Sequence, residues 1–127
     1  MYIDQNKTDG NYYPSKMLWA LGNYSRFVRP GAVRLPAELP TAAGASQPLV
    51  SAYRSADGKQ LVTVIVNDSD APATLRLELA GSKRRLGAGR TYVTSATTDL
   101  APGAAVAAGQ ALGVAPRSIT TLVSELR

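Results

Sequence analysis

Short apolar runs separated by Gly, Pro or Asn/Asp follow one another from Pro30 to the end of the chain. The most apolar run, residues 61–67, is rich in β-branched side chains and follows Asp57-Gly58, a dipeptide typical of hairpin turns. A run of this kind is typical of a central strand that is covered on both faces. Such runs at roughly 8–15-residue spacing predict a mostly β chain, an antiparallel β-sandwich of about seven to eight strands.

The other strand candidates share alternating or β-branched side chains between turn signals. They are residues 32–35, 49–54, 74–79, 90–97, 110–114 and 118–124. Within the central run, the period of two places Val62, Val64 and Val66 on one face and Ile65 on the other. Ala101-Pro102-Gly103 predicts a break after the strand at 90–97.

Residues 15–28 predict the one helix, because Pro14 precedes them and Pro30-Gly31 follows them. A stripe of apolar side chains recurs there at the spacing of one helix face. The stripe consists of Met17, Leu21, Tyr24 and Val28, and Leu18, Trp19 and Phe27 add apolar surface beside it.

The chain contains no Cys and no His. Thiol nucleophiles, His-containing triads and the usual zinc and haem sites are therefore excluded, and we expect no cofactor and no metal. Residues 67–70, Asn-Asp-Ser-Asp, are rich in oxygen ligands but lack the Gly and distal Glu of an EF-hand, so they predict a turn. No apolar run approaches the roughly 18 residues of a membrane span, so no membrane contact is expected.

The formal net charge is +5, from 14 Lys and Arg against 9 Asp and Glu. The one basic run, Lys83-Arg84-Arg85, lies between Gly81 and Gly87 and predicts an exposed hairpin tip. Nucleic-acid binders usually cluster more charge and interleave aromatic side chains with it, so we expect no nucleic-acid partner.

Three segments, in order, resemble the C-terminal region of glycoside hydrolase family 30. They are residues 13–35, with Ala20-Leu21-Gly22 and Ser25-Arg26-Phe27-Val28-Arg29-Pro30-Gly31; residues 52–58 with 61–69; and residues 92–97 with 115–121. The resemblance implies that residues 1–30 form an N-terminal segment whose helix resembles the last helix of a (β/α)₈ barrel. It implies that residues 31–127 form a β-sandwich domain.

The resemblance also implies a parent enzyme that is a secreted bacterial polysaccharide hydrolase, with its signal peptide upstream of this chain. Retaining glycosidases of this kind use two carboxyl groups about 5 Å apart. The chain has three Glu, at positions 38, 78 and 125, and none matches a catalytic position of the family. We therefore expect no catalytic residue and no enzyme activity in this chain by itself.

The favoured function is a non-catalytic accessory domain that braces the catalytic barrel and contacts glycan. Tyr12, Tyr13 and Trp19 are the candidate sugar contacts, because aromatic rings stack on sugar faces. In the structural alternative, the tyrosines anchor the helix start and Trp19 fills the seam between barrel and sandwich.

Two other functions stay open at this stage. The chain is either an independent carbohydrate-binding module or a basic module that binds acidic polymers through residues 83–85. Without the barrel, the apolar surface of the helix also predicts self-association.

Overall fold

The computed structural model describes residues 2–3, 12–39 and 47–127 of the chain. In chain order the elements are β1 (Tyr2–Ile3), β2 (Tyr12–Tyr13), α1 (Lys16–Ser25), β3 (Val33–Leu35), β4 (Leu49–Arg54), β5 (Gln60–Asn67), β6 (Ala73–Leu75), β7 (Leu86–Thr94), β8 (Ala101–Val106), β9 (Leu112–Val114) and β10 (Ser118–Leu126). The mostly β fold with one helix is confirmed. Within the described ranges, no helix combines the length and apolarity needed to cross a bilayer.

Eight of the strands form two antiparallel sheets, which confirms the predicted sandwich and its strand number. The larger sheet has the order β3-β4-β5-β10-β7-β8, and β6 pairs with β9 in the smaller one. β1 pairs with β2 ahead of the helix. The smaller sheet covers one face of the larger sheet, where Ile65 and Leu122 pack with Leu112 and Val114 of β9. The helix lies on the other face, against β7 and β10.

β5 is central, as its composition predicts, because it pairs with β4 on one side and β10 on the other. Val64 and Ile65 are both 0% exposed although they point to opposite faces. Val62 shares the face of Val64 and is 2% exposed. The predicted alternation along this strand is therefore confirmed, and both faces are covered.

The predicted break after the strand at 90–97 occurs, but its position is wrong, since β7 ends at Thr94 and residues 101–103 begin β8. Among the described strands, β8 lies at the edge of the large sheet and pairs with β7 alone. An edge strand tolerates Pro102, because a proline without an N–H loses nothing on the side that faces solvent. Whether a Pro-Gly pair can lie within a strand depends on the position of that strand in its sheet, which local sequence does not supply.

The predicted hairpin tip at Lys83-Arg84-Arg85 is also wrong. These residues are exposed, but they connect β6 to β7, which belong to different sheets. The strand predicted at 74–79 is assigned only as far as Leu75. Leu77 and Leu79 nevertheless remain half-buried and pack against the core, so the alternation persists beyond the paired residues.

Candidate functional site

The helix is fixed to the large sheet by a buried asparagine. Asn23 is 0% exposed, and its Nδ2 donates to the backbone oxygens of Tyr92 and Ile119 and to Thr121 Oγ1, at 3.2, 3.3 and 3.0 Å. Its Oδ1 accepts from Thr94 Oγ1 at 2.6 Å. Thr121 Oγ1 in turn donates to the Asn23 backbone oxygen at 2.7 Å. Every polar atom of this side chain is satisfied by β7 or β10, as a buried amide requires.

Further contacts hold the start and the middle of the helix. Lys16 Nζ lies 2.5 Å from Asp99 Oδ1 in the loop between β7 and β8. A Cβ added at Gly22 would lie 3.3 Å from Leu100 Cδ2, so the helix approaches this loop closely. Leu100 has a φ of 49°, and its N–H donates to Thr94 Oγ1 at 3.0 Å. The helix orientation is therefore set by β7, β10 and one loop.

The N-terminal half of the predicted apolar stripe faces away from the large sheet. Met17 is 77% exposed and Leu21 is 61% exposed, whereas Tyr24 and Val28 are half-buried. The helix itself ends at Ser25 rather than Val28, and the N–H of Val28 donates to the Tyr24 oxygen in the turn that follows. We name the pair of Met17 and Leu21 the outer stripe. It presents apolar surface to solvent on a helix whose buried contact is polar.

The predicted sugar contacts lie on either side of the helix start. Tyr13, in β2, and Trp19, in α1, are both half-buried. The backbone oxygen of Trp19 lies 3.4 Å from Thr94 Oγ1, and Trp19 precedes Asn23 by one helical turn, so it lies toward the sheet. The backbone of Tyr12 belongs to β2, but its side chain lies outside the described residues. Sugar contact by these three residues stays a prediction.

Sequence reasoning missed an aromatic group at the end of the helix. The rings of Phe27 and Tyr92 have centroids 4.5 Å apart with an interplanar angle of 37°. The Arg26 guanidinium lies 5.3 Å from the first centroid and 5.2 Å from the second, within cation–π range. The adjacent Arg26 and Phe27 could have indicated this group from the sequence, but their aromatic partner Tyr92 lies on β7 and meets them only in the folded chain.

No family model matches the chain. Among solved structures, a family 30 endoxylanase from Clostridium papyrosolvens superimposes with a TM-score of 0.74 at 28% identity, over 87% of this chain and 28% of that one. The chain resembles the C-terminal region of family 30 glycoside hydrolases. A family 30 subfamily 8 xylanase from Clostridium acetobutylicum superimposes with a TM-score of 0.75 at 23% identity, over 97% of this chain and 30% of the xylanase. A conserved exported protein from Bacteroides fragilis superimposes with a TM-score of 0.67 at 31% identity. The match covers 84% of this chain and 21% of that protein.

The chain thus spans less than a third of the length of the family 30 xylanases that it matches. Its three glutamates are exposed, and two of them, Glu38 and Glu78, line the same cleft. Glu38 follows β3, Glu78 follows β6, and Glu125 lies in β10, where it pairs with Arg127 at 3.0 Å. Among the described residues, no group of three or more acidic side chains could hold a metal ion.

The oxygen-rich segment after β5 is a turn, as predicted. The buried Asn67 donates through Nδ2 to the backbone oxygens of Ala71 and Ala115, at 2.9 and 3.1 Å. Its Oδ1 accepts from the N–H and the Oγ of Ser69, at 3.2 and 2.8 Å. These oxygens are therefore engaged in closing the turn, which joins β5 to the segment that precedes β10.

The exposed Asp70 carboxyl pairs with Arg117, whose Nε lies 2.8 Å from Asp70 Oδ1. This guanidinium lowers the pKa of Asp70 below its usual 3.8 by hydrogen bonding and by charge. A carboxyl whose pKa is lower when folded adds stability above its unfolded pKa and loses it as pH falls through the folded value. Asp70→Asn should therefore lower the melting temperature slightly at pH 7, and the difference from wild type should vanish well below pH 3.8. Melting curves from pH 7 to pH 2 test this, with Glu78→Gln as the control. A difference that persists at the lowest pH would contradict it.

Proposed function

We propose that the chain is a non-catalytic accessory domain of a family 30-like polysaccharide hydrolase, which braces the catalytic barrel of its parent through the outer stripe. In this proposal, residues 1–30 form the segment that contacts the barrel and residues 31–127 form the sandwich. The main observation behind this proposal is that Asn23 hydrogen-bonds the helix to the sheet while Met17 and Leu21 remain exposed. A rigidly held helix with an apolar outer surface is suited to receive a second structural layer.

The energetics favour a covered outer stripe. Full burial of a Met or Leu side chain contributes about 1.5–3 kcal/mol, so two of them contribute about 3–6 kcal/mol to an interface. The similarity to xylanases at 28% identity supports a barrel as the covering layer. The 31% identity to an exported protein supports a secreted bacterial parent. The non-catalytic role is supported by coverage, because the chain matches only 28% and 30% of the two xylanases. It is also supported by the three glutamates, none of which matches a catalytic position of the family.

The test uses the full-length parent enzyme with Met17→Lys and Leu21→Lys combined. If the outer stripe packs on the barrel, two buried charges should lower the melting temperature of the enzyme by at least about 5 °C in calorimetry. Val33→Lys is the matched control, since Val33 is an apolar side chain, 49% exposed, on the opposite face of the large sheet. The control should leave the melting temperature nearly unchanged.

An unchanged melting temperature in the double variant would contradict the bracing role. The 127-residue chain alone provides a second arm, by sedimentation equilibrium over a range of concentrations. Self-association that the double variant abolishes, together with an unaffected full-length enzyme, would assign the outer stripe to a second copy of the chain instead.

A further inference from the structure

A pocket of about 240 Å³ lies on the helix side of the large sheet, between the turn after α1 and the hairpin that joins β4 to β5. Phe27 and Tyr53 contribute aromatic rings, and the buried Val62, which pairs with Tyr53 across β4 and β5, also lines the pocket. Arg29, Asp57 and Gln60 contribute polar groups. A larger cleft of about 610 Å³ lies between the two sheets, where leucines are the most frequent lining residue and charged side chains such as Arg54, Arg76 and Glu78 also take part.

The walls of the 240 Å³ pocket are held in place by the backbone. Gly31 has a φ of 89°, and a Cβ there would lie 2.9 Å from Ala56 Cβ, so the turn packs directly on the hairpin. On the hairpin, Asp57 Oδ1 accepts from Ser55 Oγ at 2.5 Å and from the Lys59 N–H at 3.0 Å. These bonds fix the carboxylate and lower its pKa below 3.8. The pocket therefore presents an ionised acceptor in a defined position.

Two further polar groups in the lining are available to a ligand. Within the described part of the chain, neither the Tyr53 hydroxyl nor the Gln60 side-chain amide has a hydrogen-bond partner. Arg29 and Asp57 supply one charge of each sign, so the lining has no net charge. The pocket thus combines aromatic surface with a hydroxyl, an amide, a guanidinium and a carboxylate.

We propose that this pocket binds one pyranose ring of a neutral polysaccharide. The C–H face of a pyranose packs on aromatic rings, and its equatorial hydroxyls both donate and accept, which matches planar amide, carboxylate and guanidinium groups. The proposal goes beyond bracing and does not depend on it, because none of the pocket residues belongs to the outer stripe. It also differs from sugar contact through Tyr12, Tyr13 and Trp19.

The test is a titration of the isotopically labelled chain with xylohexaose and with cellohexaose, followed by amide chemical shifts. Saturable shifts are expected at residues 27–32 and 53–60. Tyr53→Ala should weaken binding at least about tenfold, because it removes both the ring and the hydroxyl. Tyr53→Phe and Gln60→Ala each remove one hydrogen-bonding group and should each weaken binding about fivefold. Tyr24→Ala, which removes a half-buried ring outside the pocket, should leave the affinity unchanged.

Because Gln60 is exposed, its substitution leaves the fold intact and keeps the test valid if Tyr53→Ala is unstable. Shifts centred on Tyr13 and Trp19 would overturn the proposal in favour of the other aromatic surface. An absence of saturable shifts with both hexasaccharides would also overturn it. Binding that weakens steeply between low and high salt would point to an acidic polymer at the basic run and would contradict a neutral ligand.

Discussion

Replacing Val64 by aspartate should unfold the chain. Val64 is 0% exposed at the centre of β5, and its partner on β10 is Thr121, so the new carboxylate would be enclosed without a cation. A buried unpaired charge costs at least several kcal/mol, against a total stability of about 5–15 kcal/mol for a domain. Urea denaturation followed by circular dichroism measures the loss.

Val33→Asp is the matched control for this substitution. Val33 is 49% exposed on the outermost strand β3, and we expect a change of about 1 kcal/mol or less there. If Val64→Asp folded cooperatively with a midpoint near that of the control, Val64 would have access to water and the central position of β5 would be wrong.

Asn23→Ala should have the second-largest effect, and we expect it to detach the helix before the sandwich unfolds. The change removes the side-chain amide that donates to the backbone oxygens of Tyr92 and Ile119 and that accepts from the Thr94 hydroxyl. The expected loss is about 2–4 kcal/mol in the attachment of the helix. Amide exchange measures it, because protection at residues 18–28 should fall well below that of β5 and β10.

Met17→Ala provides the comparison for the asparagine variant, since it alters an exposed position of the same helix. Protection there should stay near the wild-type level. Equal exchange rates in the asparagine variant and the wild type would show that the buried amide does not hold the helix.

Much of the fold was predictable because its strands have strong local patterns. The run around Ile65 is β-branched, and Asp57-Gly58 precedes it, so position, type and buried faces were all correct. β8 was not predictable in the same way. Its Pro102 is acceptable only at a sheet edge, and edge position depends on the pairing of strands distant in sequence.

The candidate site was less accessible from sequence than the fold. The apolar stripe was correct as a pattern, but a polar residue, Asn23, makes the helix's buried contact and turns Met17 and Leu21 outward. The burial of Asn23 could not be predicted locally, because its partners Thr94 and Thr121 lie on strands distant in sequence that meet only in the folded sheet. The same holds for the pocket, which combines Phe27 after the helix with Tyr53 from β4.

The strand order has a consequence for how the polypeptide matures on the ribosome. β10 is the last strand along the chain, yet it lies between β5 and β7 and pairs with both. Until residues 118–126 have left the exit tunnel, two long strands have exposed unpaired edges, which are templates for pairing with another chain. The large sheet therefore closes only after residues 118–126 emerge, when its other five strands have already been synthesised. A nascent chain that stalls before residue 118 would be a substrate for chaperones or for aggregation.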